Sequence, residues 1–128
     1  MSAPVIHFQL RAADADRLAR FYERVLGWSV RPATMGLRGA SVEGPYRWVE
    51  PHPGGIAGGI VQDDHPAGAV VVVAVDDIGT TADRAVSLGA RTSGPAEDLW
   101  LTMPGEVERF AYAEIVDPEG NRVGLVHR

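Results

Sequence analysis

The sequence predicts an α+β fold made of two similar βαβββ modules. Three observations carry that expectation. A strand-like stretch leading to an Asp-capped helical stretch occurs twice, from His7 to Asp14 and from Val70 to Asp77, an offset of 63 positions. A glycine closes each helical stretch, Gly27 and Gly89, at an offset of 62. Near the end of each half, "GGI" at 58–60 matches "VGL" at 123–125. A period of about 60 residues with one order of elements is the mark of a duplicated unit. Module 1 then spans about 4–62 and module 2 about 68–128, within a single domain.

The first element is "VIHFQL", 5–10, where alternation puts Ile6, Phe8 and Leu10 on one face and His7 and Gln9 on the other. "RAADADRLARFYERVLGW" follows, with Asp14 as N-cap and Gly27 as the stop. Leu18, Phe21, Tyr22 and Val25 stand at helical spacing and form its expected buried face. Between Trp28 and Gln62, Gly and Pro punctuate short extended segments, with strands expected near 28–32, 37–42 and 46–50 or 56–62. The second module opens on "AVVVVAV", 69–75, a β-branched strand. Asp77 caps "IGTTADRAVSLGA", with Ile78, Ala82, Ala85 and Val86 on one face and Gly89 as the stop. Strands are expected near 90–98 and 109–116. The closing "DPEGNRVGLVH" puts Pro118 and Gly120 at turn positions, a hairpin signal.

Composition narrows the chemistry. The 128 residues are enough to bury a core, and a net charge of −5 without a run of like charges argues against nucleic acid as partner. No apolar run approaches the roughly 18–20 residues of a membrane span, and "MSAPVIHF" lacks the pattern of a secretory signal, so the expectation is a cytoplasmic protein. Cysteine is absent, which excludes disulfides and thiolate chemistry. All 12 basic residues are arginine, which excludes Schiff-base lysines. None of the five serines sits in a G-x-S-x-G elbow. Chemistry is left to His, Asp, Glu, Tyr, Arg or a bound metal.

"HFQLRAADADRLARFYERVLGW" resembles the opening of the vicinal oxygen chelate superfamily, which includes glyoxalase I, bleomycin-resistance proteins and extradiol dioxygenases. "VVVVAVDDIGTTADRAVSLGA" is similar to its second opening, and "AEIVDPEGNRVGLVH" to its closing hairpin. The resemblance covers nearly the whole chain and marks a fold rather than a reaction. It implies sheets curled around a shared cleft, helices packed outside, and a homodimer. Catalytic members hold a divalent ion through four inward positions, which fall here on His7, Gly59, Val70 and Gly124. Such an ion needs several N or O donors at about 2.0–2.2 Å. Glycine and valine offer no side-chain donor, so neither metal nor other cofactor is expected.

The expected ligand-binding set is therefore His7, Gln9, Trp48, Gly59, Val70, Trp100, Tyr112 and Gly124. In this reading the two glycines enlarge the cleft, and Tyr46, Trp48 and Trp100 supply flat contact surface. Their structural alternative is that glycine relieves crowding where strands approach. His7 is read as a polar anchor or base, because an imidazole accepts or donates near neutral pH; its alternative is a hydrogen bond at the core edge. Glu114 shares strand parity with Phe110 and Tyr112. A carboxylate stripped of water beside aromatic rings suits a general base, against the alternative of a solvated face.

Glu50 and His52 in "EPHPGG", and Asp63, Asp64 and His65 in "VQDDHP", read as solvated loops rather than metal ligands. "PGGIAGG" has no helix after it to cradle a phosphate, and alternation turns His127 away from the cleft. The expected function is metal-independent binding of a small molecule, aromatic or antibiotic-like. The alternatives are an enzyme, either a lyase, isomerase or dioxygenase with a non-standard metal site or one using His7 or Glu114 as base, and a structural dimer.

Overall fold

The computed structural model describes residues 2–37, 45–62 and 68–127. Module 1 comprises β1 (Val5–Ala12), α1 (Ala15–Leu26), β2 (Val30–Leu37), β3 (Pro45–Val49) and β4 (Ala57–Gln62). Module 2 comprises β5 (Ala69–Ala74), α2 (Ile78–Ser87), β6 (Arg91–Thr92), β7 (Glu97–Met103), β8 (Glu106–Val116) and β9 (Arg122–His127). Apart from the two-residue β6, which lies against β8, the modules repeat one another.

Within module 1, β1 runs parallel to β4, and β3 lies antiparallel between β4 and β2. Module 2 has the same arrangement: β5 is parallel to β9, and β8 lies between β9 and β7. The modules meet along two antiparallel seams. At β1–β5, His7 faces Val72 and Gln9 faces Val70; at β2–β7, Thr34 faces Thr102 and Gly36 faces Trp100. With both seams paired, eight strands close into a barrel, which leaves none of those eight with a free edge. An eight-stranded barrel has an interior just wide enough for its own side chains.

Helices cover the outside. The Asp14 carboxylate accepts from the Arg17 amide at 3.0 Å, and Gly27 ends α1 in the left-handed region at φ 68°. The helix packs on Val49 and Ile60 through Ala15 and Ala19, with Leu18 and Tyr22 beside them. Small side chains let it lie close to the sheet. Of the expected face, Leu18 and Tyr22 thus pack inward, whereas Phe21 is 53% and Val25 59% exposed. In α2 the Asp77 carboxylate accepts from Thr80 N at 2.8 Å, and Leu88 is the C-cap just before Gly89. Ile78 and Ala82 pack on Ala113 and Leu125, while Val86 stays exposed.

Several strand boundaries differ from expectation for local reasons. The strand expected at 28–32 runs over Val30–Leu37, so of the expected 37–42 strand only Leu37 is described, as the end of β2. Both options for the third strand are real, as β3 and β4. The strand expected at 90–98 splits, because "SGP" at 93–95 interrupts it and β7 starts at Glu97. A two-residue turn at Pro104–Gly105, with Gly105 at φ 78°, joins β7 to β8 three residues earlier than expected. The final turn is as read: the Asp117 carboxylate accepts from the Glu119 and Asn121 amides at 2.9 Å, and Gly120 has φ 89°.

Candidate functional site

Alternation along every barrel strand sends one set of side chains inward. On β1 these are His7, Gln9 and Arg11; on β3, Tyr46 and Trp48; on β8, Glu108, Phe110, Tyr112 and Glu114. Ala33, Tyr46, Leu101 and Met103 form the buried centre, with Met35, Trp48, Val61 and Phe110 around it. What remains is a cavity of about 40 Å³, touched by His7, Gln9, Trp48, Glu108, Phe110 and Tyr112 among others.

Two polar systems occupy the interior. In the first, Tyr46 is 1% exposed and its hydroxyl shares a 3.1 Å hydrogen bond with His7 Nε2. Gln9 bonds the same hydroxyl, and the Trp48 ring stacks on His7 with centroids 5.5 Å apart. Burial pushes the Tyr46 phenol far above its ordinary value, and the Gln9 bond only partly offsets this. In the second, Tyr112 donates to Glu114 Oε2 at 2.8 Å. Glu114 Oε1 also meets Arg11 Nη2 and Arg122 Nη1, each at 3.3 Å. Burial, and then the neighbouring Glu114 charge, push the Tyr112 phenol upward as well. Both phenols keep their protons throughout the physiological range.

The two glycines do not widen the cavity as expected. A Cβ at Gly59 would fall inside the Tyr46 hydroxyl, and one at Gly124 would lie 2.6 Å from the Tyr112 hydroxyl. The space released by each missing side chain is taken by a tyrosine from the next strand. Val70 is buried and faces Gln9, presenting only methyl groups to the interior.

The structure brings His7, Gln9, Trp48 and Tyr112 together at the cavity. It does not bring Trp100 there. Leu99, Leu101 and Met103 take the inward phase of β7, so Trp100 lies on the outer face, opposite Arg109. Glu114 is neither the solvated side chain nor the isolated base considered from sequence, because two guanidinium groups hold its carboxylate. Glu108 and Met35 line the cavity and were missed; starting β8 at Glu106 extends the parity of Phe110 and Tyr112 back to Glu108.

Glu50 pairs with Arg31 at 2.7 Å, His52 is exposed, and His127 Nδ1 donates to the Val75 carbonyl at 3.1 Å. Asp63, Asp64 and His65 lie outside the described residues. Among the described residues, no three His, Asp or Glu side chains are grouped so as to hold an ion.

Two βαβββ modules closed around an inward-facing polar cluster define a protein of the vicinal oxygen chelate fold. The chain belongs to the glyoxalase-like domain family, whose model matches residues 7–126. Among solved structures it is similar to a glyoxalase/bleomycin resistance protein/dioxygenase superfamily member from Vibrio splendidus 12B01. That match has a TM-score of 0.62 and 14% identity, covering 99% of this chain and 100% of the other. A hypothetical protein from Bacillus halodurans C-125 matches with a TM-score of 0.62 at 11% identity, covering 100% and 96%. Methylmalonyl-CoA epimerase from Mycobacterium tuberculosis matches with a TM-score of 0.56 at 17% identity, covering 95% and 85%. At these identities the likeness is one of fold. A comparison with curated proteins found no match.

Proposed function

We propose that this domain binds a small organic molecule inside its barrel without using a metal ion. The observation that carries the reading is the composition of the cavity wall: aromatic and aliphatic faces from Trp48, Phe110 and Met35, with His7, Gln9 and Glu108 reaching the same space. Apolar walls with a few converging polar groups are the usual make-up of a ligand site. A flat, aromatic ligand suits the Trp48 and Phe110 rings. The homodimer and the cytoplasmic location implied by resemblance and composition belong to the same reading. Among the described residues no helix is long and apolar enough to cross a membrane.

The volume sets a condition. About 40 Å³ accommodates a few water molecules. Ligand sites span roughly 300 Å³ or more. Entry of an aromatic ring therefore requires wall side chains to yield, and the unbranched Met35 is the most adaptable of them. The same fullness favours a second reading, in which the barrel is only a core and the product of the fold is a dimer surface. An enzyme has less support, since His7 Nε2 is engaged by Tyr46 and Glu114 by Arg11 and Arg122.

Thermal denaturation of chelator-treated protein with aromatic heterocycles and peptide antibiotics tests the proposal. A ligand at a hundred times its Kd stabilises by about 2.7 kcal/mol, a shift of several degrees in Tm. The expected result is a saturable shift for an aromatic compound, lost in Trp48→Ala. No shift across the panel, together with a dimer stable to dilution, replaces ligand binding with the structural reading.

A further inference from the structure

We infer that two tyrosine–glycine pairs, Tyr46 over Gly59 and Tyr112 over Gly124, have taken over the inward positions that metal-binding relatives use for ligands, and that this exchange closes the barrel to a divalent ion. The inference rests on the metal-free part of the proposed function and not on whether the cavity takes an organic ligand.

The pairs are built alike. On β3, Trp48 faces Gly59 of β4, and Tyr46 stands two residues before Trp48. On β8, Glu114 faces Gly124 of β9, and Tyr112 stands two residues before Glu114. Each tyrosine leans diagonally along its strand and lays its hydroxyl on the glycine opposite. Diagonal neighbours across an antiparallel pair are within reach of an aromatic side chain. One device occurs at equivalent places in both modules, which argues against two unrelated packing accidents.

Ligating side chain and tyrosine exclude each other at both places. Any residue other than glycine at 59 or 124 begins with a Cβ, and that atom collides with a phenol oxygen. Neither tyrosine has an easy retreat, because Tyr46 is almost wholly buried and Tyr112 is tied to Glu114 at 2.8 Å. The phenols do not replace the lost donors. The Tyr46 hydroxyl is already shared with His7 Nε2, and the Tyr112 hydroxyl already donates to Glu114 Oε2. His7 Nε2 is engaged by Tyr46, Val70 has no donor, and Glu114 already neutralises parts of two guanidinium groups. Groups that elsewhere would converge on an ion here bond one another.

Cobalt and zinc titrations, read by calorimetry and by the visible absorption of Co²⁺, test this. The wild type is expected to give no saturable signal into the millimolar range. Gly59→Glu/Gly124→Glu is expected to lose thermal stability. Adding Tyr46→Ala and Tyr112→Ala to that variant should restore a folded protein that takes one equivalent of Co²⁺, with the signal abolished by His7→Ala. Three protein ligands, one imidazole and two carboxylates, make an open site of the type zinc enzymes use.

A wild type that binds zinc tightly and loses it with His7→Ala overturns both the metal-free reading and the inference. A silent wild type with an equally silent, folded four-fold variant overturns the inference alone. If the four-fold variant does not fold, a smaller cycle decides. Gly59→Ala should lower Tm, and Tyr46→Ala in that background should lower it further by clearly less than it does in the wild type. Strictly additive losses overturn the exchange.

Discussion

Tyr46 and Tyr112 hold equivalent places in the two modules, yet their hydroxyl groups lead into different chemistry. Tyr46 ends in a cluster with His7 and Gln9. Tyr112 ends on Glu114, which Arg11 and Arg122 share. The backbone repeat puts both rings over glycines. The opening strands then divide them, since module 1 presents His7 and Gln9 inward where module 2 presents Val70 and Val72. Valines at those matching positions offer no polar partner, and the Tyr112 hydroxyl donates to Glu114 on its own strand. Duplication set the place of each phenol, and two polar-for-apolar differences on the opening strands set its partner.

Unequal costs should follow. Glu114→Ala should be the most damaging of the changes compared here, because the Arg11 and Glu114 side chains are only 18% and 14% exposed. The pair is only partly buried, so losing one member should cost between the roughly 1 kcal/mol of an exposed pair and the roughly 3 kcal/mol of a fully buried one. Urea denaturation should place Glu114→Ala below His7→Ala in stability, and equal losses would remove the distinction between the ion-paired cluster and the His7 cluster.

Alkaline pH probes both phenols together. Each has a folded pKa raised above the ordinary 10.0, so the stability each contributes is complete below that pH. It is lost as pH rises further, because the unfolded chain releases the proton while the folded one keeps it. The slope reaches at most about 1.4 kcal/mol per pH unit for each phenol. Tyr112→Phe and Tyr46→Phe should each flatten the decline measured by denaturation between pH 9 and 12; an unchanged decline in both would mean the phenols are not buried as described.

Tyr46→Phe at neutral pH should cost about 1 kcal/mol, the worth of a typical hydrogen bond. Smallest of all should be Phe21→Gln on α1, within about 0.5 kcal/mol by chemical denaturation, because more than half of that ring faces solvent. A large loss there would show that α1 buries the face its periodicity suggests rather than the alanine face.

Local chemistry made much of this legible beforehand. Capping by Asp14 and Asp77, the Gly27 stop and the Asp117–Gly120 turn each depend on residues a few positions apart. The inward phase of His7 and Gln9 follows from alternation alone. Phase failed where a turn was missed: without Pro104–Gly105, nothing showed that Leu101 faces in and Trp100 out. Half of the α1 face was misjudged for another reason, since Leu18 and Tyr22 do pack on the core and Phe21 and Val25 do not. Periodicity marks where apolar residues lie, whereas close approach to a sheet favours Ala15 and Ala19 over the larger Phe21 and Val25.

Spacing and side-chain type by themselves determined that there are two modules and where their helices begin; the family resemblance added that three of the four implied ligand positions, Gly59, Val70 and Gly124, lack a side-chain donor. Only the folded barrel decided that tyrosines fill the gaps above Gly59 and Gly124, and that Glu114 meets Arg11 from 103 positions away. Caps and turns are decided within a few residues of chain. Those interior contacts depend on which strands pair across the barrel and in what register, and no local period encodes that.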